Sequence, residues 1–301
     1  MTITEEIHPD TPFSLAAAAG FGFGPLAGRP EPGGDGASEM RMAFVTDDMR
    51  HHAGVRLVQA NGGTITAAIE SAADPGAVTR QVRRILSLDH PAAEWLAAGD
   101  RDPVLGRLQR DHSWLRPVLF HSPYEAAAWS IISARRYRAQ ATAIRTRICQ
   151  AIGGTLTVAG EEIPAFPLPE RLLAADSLPS MGSGRVEWLH DVARAALDGR
   201  LDPTRLAAME PADALAELRR LPGIGPAYAT LILLRAVGVT DVLTFGEPRL
   251  PDYVAHFYGT GPGPASSTEI ERIADGWRPF RTWAAVLVRA AGDRRQLPLA
   301  A

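Results

Sequence analysis

The sequence predicts an α+β protein, a small β-rich amino-terminal domain followed by a mainly α region, and two observations predict it. Short stretches of strand character crowd between Met40 and Glu70, two of them joined by the turn-forming run Asn61-Gly62-Gly63. Beyond residue 88 the pattern changes, and apolar residues recur at helical spacing between Gly, Pro and Asp breaks.

Taken in order, residues 1–12 read as a flexible tail and residues 13–88 as a small α/β domain. The run Arg29-Pro30-Glu31-Pro32-Gly33-Gly34-Asp35-Gly36 reads as a surface loop. Strands are expected over 40–45, 54–60 and 64–70. Asp74-Pro75 then supplies an N-cap and a first-turn proline for a helix through Val78, Val82, Ile85 and Leu86. In the helical region, residues 89–301, helices are expected over 91–98, 102–110, 123–134, 137–151, 184–198, 211–220, 226–237, 267–275 and 279–291. The stretch Gly160–Pro169 holds Pro164, Pro167 and Pro169 and is expected to connect helices without regular structure.

Composition excludes several function classes. With 46% hydrophobic and 22% charged residues, the balance is that of an ordinary soluble protein. The longest apolar stretch, Ala227–Val239, is interrupted by Arg235 and falls short of the ~20 residues that cross a bilayer. Glu5, Glu6 and Asp10 stand where a secretory signal needs a basic and then an apolar region, so a cytoplasmic location is expected. Cys149 is the only cysteine and the eight histidines show no ligand spacing. No disulfide, zinc site or iron–sulfur cluster, and no other cofactor, is therefore expected.

All 31 basic residues are arginine. Without a lysine, Schiff-base chemistry is left with only the terminal amine. A net charge of −3 gives no global attraction to nucleic acid, so DNA binding needs a local arginine-rich face. Nothing in the composition points to an obligate oligomer or protein partner.

The run Leu221-Pro222-Gly223-Ile224-Gly225 separates a helix ending at Arg220 from one beginning at Pro226. Gly223 and Gly225 can take positive φ and carry no Cβ, so their N–H groups can approach a phosphate oxygen. Pro226 at the first helical position gives up a donor that has no partner there, and the helix adds the positive end of its dipole. The turn, with Leu221, Ile224 and Ala227 around it, is a candidate backbone anion site. A tight helical hairpin that binds nothing is the alternative.

Four stretches carry a resemblance: Ser122-Pro123-Tyr124-Glu125-Ala126-Ala127-Ala128-Trp129-Ser130-Ile131-Ile132; Arg185-Val186-Glu187-Trp188-Leu189 through Asp198-Gly199-Arg200-Leu201; the hairpin; and Trp277-Arg278-Pro279-Phe280-Arg281-Thr282-Trp283-Ala284. In content, order and spacing the chain resembles the 3-methyladenine DNA glycosylase II branch of the helix-hairpin-helix DNA glycosylases. The resemblance implies a helical glycosylase domain of two lobes with a cleft between them, behind a small β-rich domain. It implies double-stranded DNA as the partner. It also implies that the carbonyls of Arg219, Leu221 and Ile224 could hold a monovalent cation, Na+ or K+, bridging the hairpin to a phosphate.

Glycosylases of this kind flip a damaged base out of the stack and break its bond to the sugar through an oxocarbenium-like transition state that needs a nearby carboxylate. The family places an aspartate shortly after the hairpin's second helix. Here the corresponding stretch is Asp241-Val242-Leu243-Thr244-Phe245-Gly246-Glu247-Pro248-Arg249-Leu250, and the resemblance puts Glu247 in that place. The extra methylene moves the carboxylate by roughly 1 Å, a displacement able to cost about 100-fold. Asp252 is a second candidate if the register slips, and a chain without a competent carboxylate is the third possibility.

Other positions also depart from the family. Its aromatic platform for a flipped base is thinned by Ala227, Leu231 and Arg289, while Tyr124, Trp129, Tyr228, Phe245 and Trp283 could rebuild an aromatic wall or be ordinary core. Between two helices, Ser133-Ala134-Arg135-Arg136-Tyr137-Arg138 stands where the family often carries glutamine and an apolar wedge. Arg135, Arg136, Tyr137 and Arg138, with Arg145 and Arg147 behind, could fill the gap of a flipped base and meet phosphates, or form a solvated helix face. Two functions follow: a monofunctional glycosylase that uses water on a damaged, alkylated base, or a catalytically impaired protein that binds damaged or distorted duplex.

Overall fold

The computed structural model describes residues 2–21, 31–32, 38–60, 63–243 and 247–295. Packing divides the chain into two units that do not follow the sequential boundary expected near residue 88. One comprises 1–9, 14–89 and 118–238, and the other 10–13, 90–117 and 239–301.

In the first unit, strands β1 (Thr2–Ile7), β2 (Glu31–Pro32), β3 (Ser38–Val45), β4 (His52–Gln59) and β5 (Ile65–Ser71) form one antiparallel sheet in the order β1-β5-β4-β3-β2. Helix α1 (Leu15–Phe21) lies between β1 and β2 in sequence. The three expected strands are β3, β4 and β5, their alternation turning Val55, Leu57, Ile65, Ala67 and Ile69 into the core. Residues 1–12 are not a loose tail: Thr2–Ile7 pairs along its length with β5, Ile7 opposite Ile65, because a non-local ladder satisfies backbone groups that the tail's own composition does not. Asn61, Gly62 and most of the 29–36 loop lie outside the described residues.

Helix α2 (Pro75–Ile85) begins as its sequence dictates, with Asp74 accepting from the Ala77 N–H at 2.9 Å and Pro75 in the first turn. The next helices in sequence, α3 (Ala92–Arg101) and α4 (Pro103–Asp111), belong to the second unit and are described below. The first unit continues with α5 (Pro123–Ser133) and α6 (Arg138–Ile152). Helix α5 is buried almost all round, and its Glu125 reaches the β3 end, where Oε1 accepts from the Val45 N–H at 3.2 Å. The Gly160–Pro169 stretch is not irregular throughout. Strands β6 (Gly154–Val158) and β7 (Glu161–Ala165) form a two-stranded hairpin in which Pro164 sits opposite Thr155; with an open edge on each strand, the missing proline N–H is tolerated. Helices α7 (Pro169–Leu173), α8 (Ser183–Leu197), α9 (Pro203–Ala207), α10 (Pro211–Leu218) and α11 (Pro226–Ile232) follow, and α11 runs into a π-turn over Leu233–Val237 closed by Gly238 at φ 90°.

The second unit packs α3 and α4 with α12 (Leu250–Tyr258), α13 (Ser267–Ala274) and α14 (Arg281–Arg294). Its aromatic core stacks Trp95, Phe280 and Trp283 with ring centroids 5.2–5.6 Å apart. Trp277 and Tyr258 both donate to the Asp102 carboxylate, at 3.1 and 2.8 Å, while its other oxygen caps α4. No helix among the described residues is long and apolar enough to cross a membrane.

Candidate nucleic-acid interface and carboxylate site

The hairpin is built as its sequence implies, with one correction. Leu221 and Ile224 are buried and anchor the turn from below, and the Ile224 N–H donates to the Leu221 carbonyl at 3.1 Å. Gly223 takes φ 80°, the left-handed region, and a Cβ there would stand 2.6 Å from the Trp188 ring. Gly225 does not share that conformation. It is extended, at φ −79° and ψ 179°, because it serves as the N-cap of α11, and a Cβ there would meet nothing within 4 Å. The exposed tip therefore presents Pro222, Gly223, Gly225, Pro226 and Ala227 to solvent. Among the described residues, the Gly223 and Gly225 amides make no backbone hydrogen bond.

Three arginines gather before this turn, Arg200 between α8 and α9, Arg205 on α9 and Arg220 just past α10. Glu217, almost buried, accepts from Arg200 Nε at 2.7 Å and from Arg220 Nη1 at 2.8 Å, with Arg205 at 3.9 Å. Hydrogen bonds from Arg200, opposed by partial burial, hold the Glu217 carboxyl below its ordinary range. One carboxylate thus orients three guanidiniums, of which Arg220 is 72% exposed. Sequence reasoning had not singled out this cluster, although Glu217 and Arg220 stand three apart in sequence at the end of α10.

The Ser133–Arg138 turn divides its expected phosphate-binding residues. Arg135 is exposed at φ 57°, and Tyr137 stands 83% exposed at the start of α6, beside exposed Arg138. Arg136 folds back to donate to the Ile132 carbonyl at 2.8 Å, and Arg185 donates to Ile131 and Ala134 at 3.1 Å each, so both satisfy the last carbonyls of α5. Arg145 is not at the surface. It pairs with buried Glu125 at 2.9 Å, while Arg147 donates to Ser180 Oγ at 2.7 Å. Burial opposes ionisation of Glu125, but His121, Arg145 and the Val45 amide outweigh it and hold the carboxyl at about 2.

Of the aromatic candidates, Tyr124 is fully buried, its hydroxyl donating to the Pro167 carbonyl and its ring edge-on to Phe166; Trp129 is buried too. Tyr228 and Leu231 are half-buried on α11. In the second unit Trp283 is core, with Arg116 over its face at 5.3 Å. Phe245 lies outside the described residues.

The carboxylate candidates belong to the second unit. The chain leading to them is tied down at Asp241, whose carboxylate accepts from Arg281 Nε at 2.7 Å and Arg278 Nη1 at 3.1 Å, and at Val242, bonded both ways to Thr282. Glu247 opens the turn into α12, its carbonyl accepting from the Leu250 N–H at 3.2 Å. Asp252 sits in the first turn of α12, where a negative charge suits the helix dipole.

The Glu247 side chain is not alone. Arg249 Nε donates to its Oε1 at 3.0 Å and Arg289 Nε approaches its Oε2 at 3.7 Å. Both arginines also reach Asp293, Arg249 Nη1 at 2.8 Å and Arg289 Nη1 at 3.3 Å, and Tyr253 donates its hydroxyl to the same carboxylate at 2.7 Å. The hydrogen bond that Arg249 donates to Glu247 raises the Arg249 pKa above its already high ordinary value. Gly292 makes the arrangement possible: a Cβ there would lie 2.5 Å from the Tyr253 ring, so only glycine lets that ring lie against α14. Sequence reasoning missed Arg249, Tyr253 and Asp293. Its available signals were the i,i+4 spacing of Arg289 and Asp293 and the helix marks of α12, Pro251 near its start and Gly259 at φ 65° at its end.

No family model matches the chain. It is 22% identical over 211 residues to the DNA-3-methyladenine glycosylase of Bacillus subtilis strain 168, a match covering 69% of each protein. Among solved structures it resembles the 3-methyladenine DNA glycosylase of Archaeoglobus fulgidus, with a TM-score of 0.72 at 21% identity over 96% of this chain and 98% of that one. It also resembles the 8-oxoguanine glycosylase/lyase of Clostridium acetobutylicum solved with double-stranded DNA, with a TM-score of 0.63 at 15% identity over 98% and 99%. Both structural likenesses span nearly the whole chain, the amino-terminal sheet as well as the helices. The chain thus shares the fold of these DNA glycosylases and is similar in sequence to the Bacillus DNA-3-methyladenine glycosylase, in keeping with the helix-hairpin-helix resemblance of its ordered motifs.

Proposed function

We propose that the protein is a monofunctional DNA glycosylase that hydrolyses the bond between the sugar and a damaged, alkylated base flipped out of duplex DNA. The observation that carries the DNA-binding part is the hairpin tip, where the amides of exposed Gly223 and Gly225, without backbone partners among the described residues, stand just before α11. Such a tip suits a phosphate oxygen. The carbonyls of Arg219, Leu221 and Ile224 would offer a monovalent cation oxygen donors only, with one Leu221 lone pair already used by Ile224. Tyr137, exposed and aromatic, is the residue suited to fill the gap of a flipped base, with Arg135 and Arg138 on adjacent phosphates.

In this reading the glycosidic C1′–N bond breaks with its electron pair leaving on the base. The Glu247 carboxylate stabilises the sugar cation and orients a water whose oxygen joins C1′ and whose proton is released. Asp252 is the weaker candidate for that role. Absence of lysine from the chain supports hydrolysis over an amine-driven strand-cutting step.

One observation favours the second reading, a non-catalytic binder of damaged duplex: Glu247 is ion-paired to Arg249 and Arg289, which offset its charge. Base release from alkylated duplex, compared between wild type and Glu247→Gln, tests the choice. Release that depends on Glu247 supports the enzyme; tight duplex binding without release supports the binder.

A further inference from the structure

Around Glu247 the charges close into a ring. Going round it, Glu247 meets Arg249 at 3.0 Å, Arg249 meets Asp293 at 2.8 Å, Asp293 meets Arg289 at 3.3 Å, and Arg289 returns to Glu247 at 3.7 Å. Each carboxylate faces both guanidiniums and each guanidinium faces both carboxylates. Side-chain exposures of 16% for Arg289, 27% for Glu247, 33% for Asp293 and 35% for Arg249 leave the ring partly exposed, neither sealed off nor fully hydrated.

An isolated exposed ion pair is worth about 0–1 kcal/mol and would not hold a glutamate still. A closed ring differs, because moving one member disturbs two contacts. This one is also fastened to two helices. Arg289 and Asp293 share a face of α14, Arg249 precedes α12, and Tyr253 on α12 donates to Asp293 at 2.7 Å from a ring seated over Gly292. Glutamate has one more rotatable bond than aspartate, and a longer carboxylate arm needs such bracing to keep one position.

Resting on the reading of Glu247 as the carboxylate that faces the reacting sugar, we infer that Asp293 is a positioning residue. It touches neither DNA nor the reacting atoms. It holds Arg249 and Arg289, and these fix the Glu247 carboxylate where the shorter family aspartate would otherwise stand. The ring accommodates glutamate by length, so Glu247→Asp withdraws the carboxylate from both arginines and is not a restoration of activity.

The test is single-turnover base release from alkylated duplex, with affinity for an abasic-analogue duplex measured in parallel, on wild type, Asp293→Asn, Glu247→Gln, the double variant and Glu247→Asp. A displacement of about 1 Å costs about 100-fold. Asp293→Asn is therefore expected to slow release roughly 10- to 100-fold with duplex affinity within twofold, to add nothing further on Glu247→Gln, and Glu247→Asp is expected to be slower than wild type. A merely structural role would lower affinity and release together and would persist in the double variant, and that result overturns the inference. Normal release by Asp293→Asn alongside loss in Glu247→Gln overturns it while leaving the glycosylase reading intact. No release by the wild type overturns both. If Asp293→Asn fails to fold, Arg249→Lys keeps the charge but loses the two-pronged contact, and release by it at the wild-type rate overturns the inference in turn.

Discussion

Two glycines in the hairpin allow folding and DNA contact to be separated by a single methyl group each. At Gly223 an alanine would sit at φ 80° with its Cβ 2.6 Å from the Trp188 ring. The left-handed conformation costs an L-residue about 1–2 kcal/mol, and overpacking against the indole about 1–3 more. Gly223→Ala should therefore destabilise the first unit by roughly 2–5 kcal/mol. At Gly225 the backbone is extended and a Cβ meets nothing within 4 Å. Gly225→Ala should leave stability within about 1 kcal/mol, since the gain from a stiffer unfolded chain and the loss of a good N-cap nearly offset. Its methyl would nonetheless stand where a phosphate approaches the turn. Losing one charge-assisted hydrogen bond of about 1.5–3 kcal/mol weakens binding roughly 10- to 150-fold. Fluorescence anisotropy with a labelled abasic-analogue duplex at fixed salt, beside thermal melting, reads both quantities. Gly225→Ala that melts and binds like wild type would refute the backbone-amide phosphate site.

Two further perturbations address other parts of the molecule. Glu125→Gln leaves Arg145 and His121 facing an uncharged amide in the core and should destabilise the protein by about 3–5 kcal/mol in urea unfolding. Because the folded carboxyl sits at about 2 against an ordinary 4.5, this stabilisation is present above pH 4.5 and lost as pH falls towards 2, so the two proteins should converge in acid; a difference constant with pH would contradict the assignment. Arg220→Ala should flatten the dependence of log duplex affinity on log salt by about 0.9, one phosphate contact. An unchanged slope would remove Arg220 from the DNA face.

What the sequence made legible was local. The hairpin could be read because a proline that opens a helix and a glycine that closes a turn leave their reasons in adjacent residues. Helices α2 and α5 likewise carry their caps, Asp74 and Ser122, within a few positions of their apolar faces. Strand β1 could not be read, since Thr2–Ile7 gains its partners from Glu70–Ile65, more than fifty residues away. Strand β7 was hidden by Pro164, which tolerates an edge position only because of where β6 lies. The ring around Glu247 depends on a contact between Arg249 and Asp293, 44 residues apart, and on the fit of Tyr253 over Gly292. Arg145 shows the opposite failure: its arginine-rich neighbourhood suggested a DNA face, yet burial of Glu125 claims it for the core.

In the proposed function, Glu247 makes this hairpin protein an enzyme. Mass-spectrometric detection of free base from alkylated duplex DNA incubated with wild type and with Glu247→Gln tests it most directly. Release by the wild type and its loss in the variant at unchanged duplex affinity are the expected result. Equal release by both proteins, or tight binding with no release by either, would contradict it.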